Sequence, residues 1–447
     1  MKARVARHPR SQRPPPSAAT SLGAGAEDKM HHYPETKPAE HIQTAKPATP
    51  SDRIDSLDIL RGLTILVMLF VNDLAGVTGV PGWMKHVHPS TADGMTFVDV
   101  VFPAFLFIVG LSLPLAFERR FSRGESLASV AGHIVTRVLS LLVIGVFMVN
   151  SDDASGQGWF HPTIWVLLFY AAVCLVWANL PGIRQTIWFR IAGLALLAGL
   201  AFAFRGPGEQ PGLIELRSSW WGILGLIGWA YLVASVIYLA SRRNGLVLAA
   251  AIPLLYCVYF ADRVGFFASL SGLDVWVDIG AMLGSHAAIT VSGALLGLTL
   301  LPPAHSHRSR VLSAVLTGCV FAAAGLLLHS LHDLHPMFIY NKNAASPPWC
   351  LLSSAWTAWV WAALYWLVQA KNLRRGTAWL AAAGQNALFA FILGPIAYTL
   401  LGFPGLGGPY SWLGDQFSTG LVRSIAFAVA AAWLTGLLQR RRLALRL

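Results

Sequence analysis

Apolar residues in this chain run in long stretches, and the charges and prolines gather in the short segments between them. The run from Ile59 to Leu74 shows the pattern, with Arg61 near its start, Asn72 and Asp73 near its end, and nothing charged between Gly62 and Val71. Runs of roughly 20 residues match a hydrocarbon layer of about 30 Å at 1.5 Å rise per helical residue. A helix satisfies its own backbone hydrogen bonds in lipid, so these runs are expected as helices. Twelve can be marked, over residues 57–77, 98–117, 129–149, 163–180, 186–204, 219–240, 246–262, 279–300, 310–330, 349–369, 378–401 and 419–438. Those at 186–204 and 246–262 are the weakest. The expectation is therefore an all-α polytopic transmembrane bundle of about 10–12 spans.

Composition agrees: 55% of the residues are hydrophobic and 12% charged, whereas a soluble fold carries roughly a quarter charged. The net charge of +12 does not point to nucleic acid, because the positive residues sit at the ends of the runs. Arg119, Arg120, Arg123, Arg242, Arg243, Arg308, Arg310, Lys371 and Arg440 fall in alternate connections. Lys85, Arg205, Arg217, Arg263 and Lys342 are the sparse positives of the others. By the positive-inside rule both termini are cytoplasmic. Residues 1–50, rich in Pro, Ala, Ser and Thr and without apolar period, read as a disordered cytoplasmic tail, and 51–447 as the membrane domain. The four cysteines lack metal-ligand spacing, and neither a disulfide framework nor a metal site is expected.

Polar residues concentrate around the first two runs. Asp58 and Arg61 are three apart and share a helix face, either as a local ion pair or beside a ligand. Asn72, Asp73, Asp93 and Asp99 flank a loop carrying His86 and His88. An imidazole there can take a proton near neutral pH, and a carboxylate can fix its tautomer. Arg137 lies mid-run, where it either snorkels to the cytoplasmic surface or lines a polar cavity and meets a phosphate. A second outer cluster holds His329, His332, Asp333, His335 and Asn341-Lys342-Asn343, and it could roof the same cavity. His286 reads as a core hydrogen-bonding residue. Trp83, Trp159 and Trp349 read as membrane-interface residues.

The run Ser56-Leu57-Asp58-x-x-Arg61-Gly62, then Val71-Asn72, Lys85-His86 and Asp93-Gly94-Met95-Thr96-x-x-Asp99-x-Val101-Phe102-Pro103 resembles the heparan-α-glucosaminide N-acetyltransferase family and its bacterial relatives of unknown substrate. Phe107-Ile108-x-Gly110-x-Ser112, Trp220-Trp221-Gly222 and Asn341-Lys342-Asn343 extend the resemblance over the whole membrane part. It implies a transmembrane acyltransferase that uses cytoplasmic acetyl-CoA as co-substrate, without a metal, and acetylates a sugar or glycan on the far side of the bilayer. By position the catalytic histidine falls on His86 and its supporting asparagine on Asn72, with Asp99 beside them. Arg61, Arg137 and Asp58 fall on the acyl-CoA side, and Asn341, Lys342 and Asn343 on the acceptor side. The family's Trp-Asn-Gly is here Ala92-Asp93-Gly94, in a longer loop where His88 competes with His86.

The expected function is acyl transfer from cytoplasmic acyl-CoA to an extracytoplasmic acceptor in a bacterial inner membrane, with His86 as base or acyl carrier. The rival is a sugar or lipid-linked glycan transporter or flippase, although no repeat between the halves supports it. A homo-oligomer is compatible with this sequence.

Overall fold

A computed structural model describes residues 54–447, apart from 88, 153–158, 180–186, 207–213, 275, 303–304, 375 and 404–406. The expected tail over residues 1–50 and the rival histidine His88 lie outside the described residues. The described chain is all-α. It runs α1 (Asp55–Leu74), α2 (Phe97–Phe121), α3 (Leu127–Asp152), α4 (Pro162–Trp177), α5 (Ile187–Ala203), α6 (Gly222–Ser241) and α7 (Gly245–Arg263). Then follow α8 (Ile279–Leu300), α9 (His307–His329), α10 (Pro347–Ala370), α11 (Ala378–Gln385), α12 (Ala387–Leu401) and α13 (Phe417–Arg440).

Eight of these helices are long and apolar enough to cross a membrane, or nine if α11 and α12, bent by 86°, are one span. The protein is an integral membrane protein. Each expected run has its helix, and the count falls short of 10–12 for two reasons. Asp58, Arg61 and Asp73 leave α1 too charged by composition, and α4 and α5 have only 16 and 17 residues. Contacts keep successive connections at alternate ends of the bundle. At one end Gly94 N donates to Tyr340 O, Tyr259 OH to Ala344 O, and Thr78 N to Gly414 O. At the other Arg243 pairs with Glu118, and His307 Nδ1 lies 2.9 Å from Tyr365 OH.

The centre is α2 against α8, whose apolar windows are 67% and 83% buried, against 28% for α7 and α9 at the periphery. Glycine permits the central contact. A Cβ on Gly110 would stand 1.8 Å from Thr290 O, and one on Gly293 would stand 2.0 Å from Phe107 O. The α1–α11 contact is built the same way from Gly62 against Leu380 O and Gly384 against Asp58 O. Such small-residue contacts are how helices approach closely in lipid, where apolar burial gives no preference for a protein neighbour.

Local chemistry sets the ends. Thr96 caps α2 and Asp99 completes a capping box from its third position, satisfying two of the otherwise unpaired N–H groups of the first turn. The first turns of α8, Ile279–Ser285, are π-helical, with Asp278 accepting from Ala281 N at 2.8 Å. At the basic end, β1 (Ala178–Asn179) and β2 (Ala444–Leu445) pair antiparallel and tie the exit of α4 to the C-terminal segment. Asn386, at the bend between α11 and α12, donates to Leu443 O at 3.0 Å and accepts from Leu445 N at 3.1 Å.

Candidate functional site

His86 and Asp99 meet because the α2 cap aims Asp99 back at the loop before it. Oδ1 of Asp99 lies 2.7 Å from His86 Nδ1, while Oδ2 accepts from Thr96 N at 3.0 Å and Val87 N at 3.4 Å. The side chain of Asp99 is 1% exposed and that of His86 29%. A carboxylate only accepts, so a neutral His86 carries its proton on Nδ1 and its lone pair on Nε2. Nε2 is the nitrogen suited to proton abstraction or acyl capture.

Lys342 stands over the same ring. Its Nζ lies 3.4 Å from Nδ1 and 3.5 Å from Nε2 of His86, across 256 positions of sequence. Burial lowers the pKa of its ammonium below the ordinary 10.5, and the charge of Asp99 partly restores it. Asn341 sets where Lys342 stands. Its side chain is fully buried and donates to Pro89 O at 3.0 Å and Ala92 O at 2.8 Å, and it accepts from Ala344 N at 2.9 Å. Asn341 thus staples the His86 loop to the Lys342 loop, with no donor left to hold a substrate.

A second latch joins these loops. Asp93 Oδ1 accepts from Tyr340 N at 2.8 Å, and Oδ2 lies 2.8 Å from His329 Nε2. Burial works against the Asp93 carboxylate, yet the bonds from His329 and Tyr340 outweigh it and hold its pKa below the usual 3.8. The His329 ring stacks on Tyr340 at 4.0 Å.

Next to this pair lies a cavity of about 400 Å³ lined by Phe102, Trp220, Asp278, Met282, His286, Lys342 and Asn343. Asn343 is exposed. Its neighbour at the opposite end of α2, also about 400 Å³, is lined by Arg61, Ser112, Arg120, His133, Arg137, Tyr231 and Arg446. Arg61 is positioned by Ser112 Oγ at 2.7 Å and by Asp58 at 3.3 Å. The Asp58–Arg61 pair is present, therefore, and it also braces a cavity residue. Arg137 sits over the Tyr231 ring at 4.8 Å, and its buried Nε has no hydrogen-bond partner among the described residues. Guanidinium groups gathered around a recess suit phosphate oxygens. Arg137 is among the residues that line this cavity.

Several expected residues lie elsewhere. Asn72 is exposed on the last turn of α1 and is not hydrogen-bonded to His86. Its neighbour Asp73 is the buried one, held by Arg423 Nε at 3.1 Å, Ser424 Oγ at 2.6 Å, Tyr398 OH at 3.2 Å and Tyr410 OH. Trp83 and Trp159 are exposed as an interface reading requires, but Trp349 is fully buried. His286 is buried, and its Nδ1 finds no hydrogen-bond partner among the described residues, unlike a satisfied core histidine. Sequence reasoning did not single out Trp220 as a cavity residue, Asp278, His133 or Arg446. Trp220 stood within the quoted Trp220-Trp221-Gly222 string, and that string had been the one available signal.

Residues 53–267 match a family described as a domain of unknown function (DUF5009). Over 106 residues the chain is 37% identical to heparan-alpha-glucosaminide N-acetyltransferase of Mus musculus, covering 24% of this chain and 15% of that protein. Over 173 residues it is 30% identical to heparan-alpha-glucosaminide N-acetyltransferase of Homo sapiens, covering 38% of this chain and 23% of that one. The resemblance seen in the motifs is thus a distant and partial similarity to a membrane N-acetyltransferase. The matched stretch spans less than a quarter of either relative's length.

Proposed function

We propose that this chain is a transmembrane acyltransferase that moves an acetyl or similar acyl group from cytoplasmic acyl-CoA to a sugar or glycan acceptor on the opposite face. The observation that carries the reading is the pair of cavities on one helix. The arginine-lined cavity lies at the end of α2 near Arg120, and the cavity lined by Lys342, whose ammonium stands over the His86 ring, lies at its start. The similarity to proteins named N-acetyltransferases supports the same reaction class.

In this reading Arg61, Arg120, Arg137 and Arg446 hold the CoA phosphates, Asp58 orients Arg61, and the thioester extends along α2 toward His86. His86 Nε2 takes the proton of the acceptor amine or hydroxyl as that atom attacks the thioester carbon. The C–S bond then breaks, and the imidazolium returns a proton to the departing thiolate. Asp99 holds the imidazole in the required tautomer. Lys342 is the donor beside the developing oxyanion, a role better suited to it than to the exposed Asn72, and Asn343 faces the acceptor. An acyl-histidine on Nε2 would use the same groups in two steps. We assign the chain to a bacterial cytoplasmic membrane, with residues 1–50 as a cytoplasmic tail and 51–447 as the catalytic domain.

The transporter reading draws on the bend between α11 and α12, since broken helices form transporter sites. Asn386 at that bend is spent on Leu443 and Leu445, and Gln385 beside it is bonded to Asp58 and Gln439. The test supplies radiolabelled acetyl-CoA to the cytoplasmic face of vesicles and looks for label on acceptor material in the opposite compartment. His86→Ala is expected to abolish labelling while CoA binding persists. Full labelling by that variant, or acceptor movement without acetyl-CoA, would overturn the proposal.

A further inference from the structure

Among the polar residues lining the outer cavity, His286 is the most deeply buried. His286 is 5% exposed, lies eight positions beyond Asp278 on the same element, and carries the orphaned Nδ1. An unpartnered buried polar atom is costly, so an imidazole kept this way in a cavity wall suggests a ligand group that completes it. Its surroundings restrict that group. Phe102 packs edge-on against the ring at 5.2 Å, and Met282 lines the same recess. Between Phe102 and Met282 the imidazole sits in a setting that suits a thin alkyl chain with an occasional amide.

The same recess points toward the basic cavity. On α2, Phe102 lines the outer cavity and Val109 the inner one, seven positions and about 10 Å apart at 1.5 Å per residue. On α6, Leu226 lines the outer cavity and Tyr231 the inner one, about 7.5 Å apart by the same rise. Along both helices the two cavities are therefore separated by about one and a half to two helical turns. A neutral imidazole offers one donor and one acceptor, and a secondary amide offers the complement of both.

We infer that His286 is the hydrogen-bonding partner of the pantetheine arm of acyl-CoA, fixing the arm where it passes from the arginine-lined cavity into the outer cavity lined by Lys342. This rests on the acyl-CoA reading proposed above, and binding measurements separate the two. Purified full-length protein in detergent is titrated with desulfo-CoA, which has the arm, and with adenosine 3′,5′-bisphosphate, which lacks it. The wild type is expected to bind desulfo-CoA more tightly than the nucleotide. His286→Leu is expected to weaken desulfo-CoA about fivefold to tenfold, the size of one hydrogen bond, and to leave nucleotide affinity unchanged. That unchanged affinity doubles as the check on folding. His286→Gln, which keeps a donor and an acceptor, should retain part of the difference. Wild-type affinity for desulfo-CoA in His286→Leu would overturn the role of His286 while the acyl-CoA reading stands. A wild type that binds neither probe would overturn both.

Discussion

Nδ1 of His86 lies 2.7 Å from Oδ1 of Asp99, and this contact decides which ring nitrogen of the neutral imidazole carries the proton. It also makes Asp99 serve two tasks, since its other oxygen completes the cap of α2. Asp99→Asn keeps the shape but offers an amide where a carboxylate fixed the tautomer. Transfer is expected to fall by about 10²–10⁴ in rate, the scale of a lost general base, with stability reduced by no more than about 1 kcal/mol from the weakened cap. Initial rates in the vesicle assay and a melt in detergent separate the two effects. Wild-type turnover in Asp99→Asn would remove Asp99 from the mechanism.

Asn341→Ala should act at a distance. It strands Pro89 O, Ala92 O and Ala344 N, which the side chain of Asn341 now satisfies. The expected cost is about 3 kcal/mol, at about 1 kcal/mol for each of the three part-buried groups, with loss of activity as Lys342 shifts from His86. Asn341→Asp replaces two donors by acceptors facing carbonyl oxygens and should be worse. A melt in which Asn341→Asp matches the wild type would show that the staple does not hold the loops.

How much of this was legible in sequence follows from chain separation and helical phase. The His86–Asp99 pair spans 13 residues and contains its own cap signal, Thr96 three before Asp99, so the sequence could bring them together. The His86–Lys342 contact joins two connections 256 positions apart, and apolar periodicity carries no information about which outer loops meet. Asn72 and Asp73 differ by about 100° of helical phase; two adjacent polar residues at the end of an apolar run do not show which of them faces inward, and the fold buries Asp73. Arg446 counts in the sequence only as one of the positive residues at the cytoplasmic end, because a two-residue strand pair is what carries its segment to the basic cavity. The span count differed because hydropathy finds apolar runs, while crossing also depends on helix length, which is short in α4 and α5.

Lys342 gives a pH dependence with a definite sign. Burial lowers its pKa in the folded protein below the ordinary 10.5, against a smaller upward pull from Asp99. Between the lowered value and 10.5 the unfolded chain binds more protons than the folded one, so stability rises with pH through that window. Below the window the buried ammonium destabilises the fold; above it both states are neutral and the penalty is gone. Lys342→Met removes the titration. Its stability advantage over the wild type should be greatest below the window and shrink as pH climbs to 10.5. Denaturant titrations of the two proteins in parallel would read this difference, and a constant gap would contradict it.

The Asp73–Arg423 pair is buried at 1% and 7% side-chain exposure and saturated by Ser424, Tyr398 and Tyr410. Removing one partner leaves a charge in a dry site. Arg423→Met should therefore cost about 3–5 kcal/mol, and Asp73→Asn with Arg423→Met should recover part of it. A double variant less stable than either single would mean that the pair is not the source of the penalty.

The central helix contact gives the sharpest test of the fold, because two glycines and a control make opposite predictions. A Cβ at Gly110 would meet Thr290 O at 1.8 Å, and a Cβ at Gly293 would meet Phe107 O at 2.0 Å, both backbone atoms that cannot swing aside. Gly110→Ala or Gly293→Ala must push α2 and α8 apart, at a cost of about 3 kcal/mol or more, the upper range for overpacking. Gly132 of α3 has nothing within 4 Å, and Gly132→Ala should stabilise by up to about 1 kcal/mol, the helix preference of Ala over Gly. Since α2 carries Asp99 and lines both cavities, the two central variants should also lose desulfo-CoA binding and acyl transfer, while Gly132→Ala keeps both. Melts in detergent beside ligand titrations would decide it. Central variants as stable as the Gly132→Ala control would mean that α2 and α8 are not packed backbone to backbone.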